Sequence, residues 1–427
     1  MDSRGPSRLS RAAPVLVVAG VLVASLSLRA PIVAPTPVMR DIEHDLGIGS
    51  ATAGLLTTAP ILMFALLTPL AALVIRRSGA ELALMTSLSG VLLGTFIRAI
   101  PGFGWMLAGM FVIGAAITIG NVVIPVIIRR DVSQRRVGIV TAAYVATMNA
   151  GSLVTSLVTA PLASLVGWPL ALLAWSAITV AGILLWGAHL RRERRAGVDP
   201  AELLSGEPVA PGPRTASVID PETVTGPTPV LVDRRRERSL FRRPAVWLLV
   251  LAFSMQATIY YALTTWLPTL SGDMLDLDRA GAGALASVYQ GVAVVGAFLV
   301  PLLTRFAPRS VATGVIAATW LVMTGGMLFA PGLMWLWLLF GALAHAGGFV
   351  VIFTTLVDIA RTDAEAAGMS ALVQGGGYAL ASLGAPVVGA LHESTGGWET
   401  ALALMLAMAV VYTVALFTAL AAASRRA

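Results

Sequence analysis

The chain contains no cysteine and no lysine among its 427 residues, and only 12% of those residues are charged. Without cysteine there is no disulfide, no thiol catalysis and no thiolate metal site. Without lysine every basic side chain is an arginine; genomic base composition is the plain explanation, and no function follows from it. So little charge beside 57% hydrophobic residues and a mean hydropathy of +0.84 excludes a soluble domain. Scarcer still are carboxylates within the long apolar runs, whose interiors hold none.

Apolar runs fall near 14–39, 51–74, 82–100, 103–128, 137–164, 168–190, 245–270, 281–304, 310–330, 333–357, 366–391 and 398–421. Each is long enough to cross a hydrocarbon core of roughly 30 Å as a helix. The expected fold is therefore an all-α membrane protein with 12 transmembrane helices, embedded in a lipid bilayer. With the N-terminus inside, 25 of the 29 basic residues lie on the cytoplasmic side, while Arg40, Arg98 and Arg279 fall outside and Arg29 lies within the membrane. That asymmetry predicts a multi-pass protein of the cell inner (cytoplasmic) membrane with both termini cytoplasmic. It also accounts for the net charge of +7 without nucleic acid as a partner. Residues 1–28 have the basic start and apolar stretch of a signal peptide, but no small-residue cleavage site follows, so they read as an uncleaved first helix.

The chain repeats itself. A shift of 230 residues aligns Pro101, Gly102 and Trp105 with Pro331, Gly332 and Trp335, and Gly167 and Trp168 with Gly397 and Trp398. A shift of 228 aligns Gly120, Val122, Val123 and Ile124 with Gly348, Val350, Val351 and Ile352. The matched residues are Gly, Pro and Trp at span ends and loops, in the same membrane orientation. This predicts two pseudo-symmetric six-helix bundles related by an axis along the membrane normal. The boundaries are 1–190 for the N-terminal bundle, 191–243 for a cytoplasmic linker rich in Pro, Gly and charge, and 244–427 for the C-terminal bundle.

Arg29 is the first candidate for function. An arginine at mid-membrane costs about 2.5–3.5 kcal/mol on insertion scales, so such residues usually face a polar cavity. With no carboxylate in the interiors of the runs to pair with, a substrate anion becomes the natural partner. Ser25, Arg29 and Thr36 are spaced to share one helical face, and Pro31, Pro35 and Pro37 interrupt the helix beyond them. The competing reading is a kinked structural helix whose arginine snorkels to an interface. Other polar residues within spans are Asn121, Tyr144, Gln256, Tyr260, Tyr261, Tyr289, Gln290, Gln374 and Tyr378. Under the repeat Tyr144 corresponds to Gln374, and position 29 to 259, beside Tyr260. Symmetry-related positions of this kind enclose ligands at the midplane of transporters, although amides and hydroxyls also glue helices together. His345 can titrate near neutral pH and is the candidate for proton coupling, with helix packing as the alternative. Gly375, Gly376 and Gly377 lack the lysine and serine of a phosphate loop and, like Gly90 and Gly94, fit close helix approach.

Twelve spans in two parallel halves with a long basic central loop resemble the major facilitator superfamily. Within it, Gly120, Asn121, Val122, Val123, Ile124 and Pro125, leading to Arg129, Arg130 and Asp131, are similar to the span 4 signature of the cyanate-permease and nitroimidazole-exporter subfamily. So are Ser27 to Pro31, Leu372 to Tyr378, and Gly384, Ala385 and Pro386. The resemblance implies alternating access by rocking of the halves, with Arg29 lining a central cavity. Two departures stand out: Arg76 occupies the place before Arg77 and Gly79 where the superfamily usually has an acid, and Ala160 and Pro161 replace the Gly-Pro of proton-driven drug antiporters.

The expected function is transport of a small, anionic or polar solute, with Arg29 reading its charge and Asn121, Tyr144, Gln256, Tyr260, Gln374 and Tyr378 shaping the site. The alternative is export of a neutral nitroheteroaromatic or similar drug-like compound. No cofactor or metal is expected, and no convergent acid, base and nucleophile set points to an enzyme. Protons are a candidate coupling ion, and a monomer is the expected unit.

Overall fold

The structure is a computed structural model that describes residues 8–132, 134–195, 243–360 and 363–424. Most of the linker at 191–243 lies outside the described residues. The first half comprises α1 (Arg8–Val33), a 3-10 turn at Thr36–Val38, α2 (Met39–Leu46), α3 (Ser50–Ile97), α4 (Phe103–Asp131), α5 (Gln134–Val166), α6 (Trp168–Ala174) and α7 (Ser176–Arg195). The second comprises α8 (Pro244–Leu275), α9 (Arg279–Phe306), α10 (Arg309–Phe329), a 3-10 turn at Pro331–Leu333, α11 (Met334–Ile359), α12 (Asp363–Ala381), α13 (Gly384–Thr395) and α14 (Glu399–Ser424). No strand occurs among the described residues.

Eleven stretches among the described residues are long and apolar enough to span a bilayer. The twelfth crossing is α9, whose 28 residues reach about 42 Å at 1.5 Å per residue. Helix α3 carries two crossings, because Gly79 at φ 79° and ψ 163° breaks it where the chain must turn back. Only a residue without Cβ takes that conformation readily. The crossings after Gly167 and Gly396 also begin at positive φ, 82° and 69°. The glycines read as packing devices behave as such at Gly94, where an added Cβ would lie 2.8 Å from the Gly109 carbonyl oxygen of α4.

The duplication is visible in side-chain chemistry. Trp168 Nε1 donates to Asp45 Oδ2 at 2.7 Å, and Trp398 Nε1 donates to Asp273 Oδ2 at 2.9 Å. In each half, the tryptophan that opens the sixth crossing is thus pinned to a carboxylate at the end of the first. Trp105 and Trp335, the other repeat pair, are 54% and 55% exposed on the outside of the bundle, the disposition of aromatic residues at a membrane interface.

The halves meet along α5 against α9 and along α3 against α12 and α13, while the 3-10 turn after α1 touches α5, α8 and α9. Their polar ties gather at the end of the bundle opposite Arg195 and Arg243, here the far end; the other is the linker end. Arg40 pairs with Asp273, and Arg279 pairs with Asp41 at 2.7 Å. The Glu393 carboxylate accepts from the Ala51 amide at 3.3 Å, the Thr265 hydroxyl meets that of Thr57 at 2.8 Å, and the Thr58 hydroxyl donates to the Ser382 carbonyl. Gly54 of α3 abuts backbone, since a Cβ there would lie 2.8 Å from Ala385 C and Pro386 N. The far end is closed.

Candidate functional site

Helix α1 ends at Val33 because the next residues cannot continue it. Pro35 and Pro37 lack the amides that would bond the carbonyls of Pro31 and Val33. Both carbonyls find other donors, the Thr36 hydroxyl reaching Val33 O at 2.9 Å and Arg98 Nη1 reaching Pro31 O at 2.7 Å. Thr36 therefore does not share a helical face with Arg29 as its spacing predicts; it lies past the break and its hydroxyl is occupied. Ser25 bonds its own helix at Val21 O, 2.6 Å.

Arg29 occupies the last turns of this helix and faces the second half. Its Cζ lies 5.9 Å from the centroid of the Tyr260 ring, a cation–π distance. Tyr260, Tyr261, Tyr378 and Tyr144 are its electrostatic neighbours. Tyr261 stands between Arg29 and Tyr378, in side-chain contact with both. Arg29 Nε is buried without a hydrogen-bond partner, and among the described residues no carboxylate forms an ion pair with the guanidinium.

The second half supplies a connected wall. The His345 imidazole lies flat on Tyr260, centroids 3.6 Å apart and 7° from parallel. The Tyr260 hydroxyl donates to Gln290 Oε1 at 3.3 Å, and Gln290 Nε2 donates to the Thr264 hydroxyl at 3.3 Å. Gln256 Nε2 donates to the His345 carbonyl at 3.1 Å, tying α8 to α11. Tyr378 packs edge-on against Phe253 and Phe64, at 5.2 Å and 5.9 Å.

Of the residues singled out in the sequence, Arg29, Tyr144, Gln256, Tyr260, His345 and Tyr378 come together from α1, α5, α8, α11 and α12. Gln374 lies one turn before Tyr378, but its amide is occupied by the Ser370 hydroxyl at 2.9 Å. Asn121 on α4 makes no described contact with this group, and its Oδ1 is buried without a partner. Gln256 Oε1, His345 Nδ1 and the Tyr289 hydroxyl are likewise unpartnered, a concentration of unmet polar atoms that is uncommon inside folded proteins. Beside Gln374, a Cβ on Gly375 would meet nothing within 4 Å, so this stretch of α12 borders open space.

Two further charged residues escaped the sequence reading. Arg98, which the arginine distribution places on the outer side, is 2% exposed and donates to the carbonyls of Pro31 and Leu172. Glu81, one residue before its apolar run, is 5% exposed and pairs with Arg130 at the linker end. The Arg130 guanidinium, chelated by Asp131 and then by Glu81 against the cost of its burial, is held above the usual arginine range. Neither position carries a periodic or motif signal that marks it as buried.

A helical membrane protein of two six-helix halves, meeting around a shared polar and aromatic cluster and closed at one end, is a transporter. The model of the Major Facilitator Superfamily matches residues 17–371, and the chain belongs to that family. It is 29% identical over 393 residues to the 2-nitroimidazole transporter of Escherichia coli (strain K12), covering 91% of each chain. It is 26% identical over 401 residues to the uncharacterized transporter YycB of Bacillus subtilis (strain 168), covering 92% of this chain and 91% of that one. Among solved structures, the nucleoside transporter NupG superposes with a TM-score of 0.71 at 12% identity, covering 94% of this chain and 99% of that one. A bacterial homologue of the human lysosomal transporter Spinster, inward-facing and unoccupied, gives 0.65 at 15% identity, covering 98% and 95%. These likenesses establish the fold. The protein is a multi-pass membrane transporter of small molecules, not an enzyme.

Proposed function

We propose that the transported solute is a small, flat heteroaromatic molecule bearing a nitro group or a comparable electron-rich acceptor. The observation that carries this reading is Arg29: one guanidinium without a carboxylate partner, ringed by Tyr144, Tyr260, Tyr261 and Tyr378. The guanidinium bonds the acceptor group, and the tyrosine and histidine rings cover the faces of the heterocycle. The likeness to the 2-nitroimidazole transporter supports the same class. Gln256, with an unpartnered oxygen in the cluster, is the acceptor for a ring N–H, Gln374 borders the open space beside Gly375, and Asn121, whose oxygen is also unpartnered, is a further acceptor along the solute's path. A small inorganic or carboxylate anion is the second reading, favoured by the same unpaired charge.

The positive-inside distribution assigns the linker end to the cytoplasm of a cytoplasmic membrane. The tied far end then faces outward, and the site lies buried between the halves. Movement across the membrane requires the far-end ties to part while the linker end closes. His345 is the group proposed to couple this cycle to protons, in a transporter that acts as a monomer.

The test is counterflow of 2-nitroimidazole, benzoate and nitrate in proteoliposomes, comparing wild type with Arg29→Ala. Saturable 2-nitroimidazole exchange that is lost in the variant is the expected result. Exchange confined to benzoate or nitrate selects the anion reading, and wild-type kinetics in Arg29→Ala remove both.

A further inference from the structure

We infer that Arg98 is a positioning residue for the solute site, holding the proline-broken end of α1 so that Arg29 projects toward Tyr260. The inference rests on the reading of Arg29 as the solute-binding charge. Three observations carry it.

The first is a matter of backbone accounting. In a bilayer-embedded bundle every main-chain polar group needs an internal partner. Pro35 deprives the Pro31 carbonyl of its helical donor, and Arg98 Nη1 supplies one at 2.7 Å. Pro31 is two residues from Arg29, so this bond fixes the turn that aims the candidate binding side chain.

The second is geometry. Arg98 stands at the end of α3, and its Nη2 donates to the Leu172 carbonyl of α6 at 3.0 Å. Its remaining polar contact is Nη1 to Met110 Sδ of α4, at 3.8 Å. One guanidinium therefore joins α1, α3, α4 and α6, and its planar fork reaches two carbonyls at once, which a point charge does less well. Gly109 makes the approach feasible, since a Cβ there would lie 2.5 Å from the Arg98 amide nitrogen.

The third is burial without charge compensation. Arg98 is 2% exposed, and among the described residues it has no carboxylate partner. A residue kept only for packing would be apolar at such a site. An arginine is retained where its donors are needed.

The experiment uses the full chain, which lacks cysteine and so accepts labels at chosen positions alone. Nitroxides at His44→Cys on α2 and Trp105→Cys on α4, both exposed, report the position of the broken end against the rest of its half by pulsed electron spin resonance. Arg98→Met keeps an unbranched stem and removes the donors, Arg98→Gln keeps amide donors without charge, and Arg98→Lys keeps the charge and donors on a single nitrogen in place of the planar fork. The expected result is a broadened distance distribution in Arg98→Met, with the glutamine and lysine variants close to wild type. The half-saturation concentration for 2-nitroimidazole counterflow rises about tenfold in Arg98→Met while the maximal rate changes less than threefold. An unaltered distance distribution in Arg98→Met overturns the inference, and so does failure of Arg98→Gln with retention in Arg98→Lys, which assigns the effect to charge. If wild type does not carry the probe, the solute reading fails and the distance measurement still decides the role of Arg98.

Discussion

His345 lies flat against Tyr260, with ring centroids 3.6 Å apart and planes 7° from parallel, and Tyr260 in turn lies under the guanidinium of Arg29. An imidazole, a phenol and an arginine from three helices thus form one stack across the boundary between the halves. Replacing His345 by Phe keeps the stacking surface and removes the titratable nitrogens; Asn removes the ring. His345→Phe should retain counterflow, which needs no net proton movement, and lose accumulation driven by a pH gradient. His345→Asn should weaken half-saturation by about two- to tenfold through loss of the ring contact. Gradient-driven accumulation by the Phe variant at the wild-type level would exclude His345 from proton coupling.

Arg29→Lys separates charge from shape. Lysine keeps the positive charge but not the planar fork that matches a nitro or carboxylate group. Arg29→Ala should raise half-saturation by at least about thirtyfold, the cost of removing a buried charged hydrogen bond, and Arg29→Lys should fall between. A lysine variant equal to wild type would mean that the fork is not used.

The far-end closure should yield to removal of its ion pairs. In the cysteine-free background, Thr265→Cys reports this region, because Thr265 is 1% exposed and touches Thr57 across the halves. Arg40→Ala combined with Arg279→Ala should increase labelling by a membrane-impermeant maleimide several-fold from the far side. Each exposed pair contributes at most about 1 kcal/mol, so single variants should show small effects. Unchanged labelling in the double variant would locate the closure in apolar packing.

Gly54→Val tests that packing without altering charge. The added side chain meets Ala385 and Pro386 backbone, which cannot rotate aside, so α3 and α13 must separate. The expected outcome is the same increase in Thr265→Cys labelling, now insensitive to salt, with little change in the melting temperature of the detergent-solubilised protein.

Much of this was legible in the chain. Hydropathy and the arginine asymmetry delimit the crossings, and the paired Gly-Trp positions predict the duplication that Trp168 and Trp398 display through their matching carboxylates. Arg29 was legible because an arginine in an apolar run has few explanations, and the tyrosines because polar residues are scarce there. Arg98 was not, since a residue at the end of a run looks alike whether it snorkels outward or turns in to bond carbonyls. That choice was decided by Pro35, some sixty residues away in sequence. The bond from the Gln374 amide to the Ser370 hydroxyl has a similar origin: span and face can be read locally, but that contact depends on side-chain rotamers that periodicity does not fix.

The far-end ties are open to the surrounding medium. Arg40 and Arg279 keep 53% and 61% of their side-chain surface exposed, and Arg40 and Asp273 line an open recess of about 500 Å³ together with Glu43, His392 and Trp398. Dissolved ions reach such pairs freely, and the screening length shrinks from about 10 Å at 0.1 M to about 3 Å at 1 M. Raising the salt concentration at the far end is therefore expected to weaken both ion pairs while leaving the contact of Gly54 with Ala385 and Pro386 unchanged.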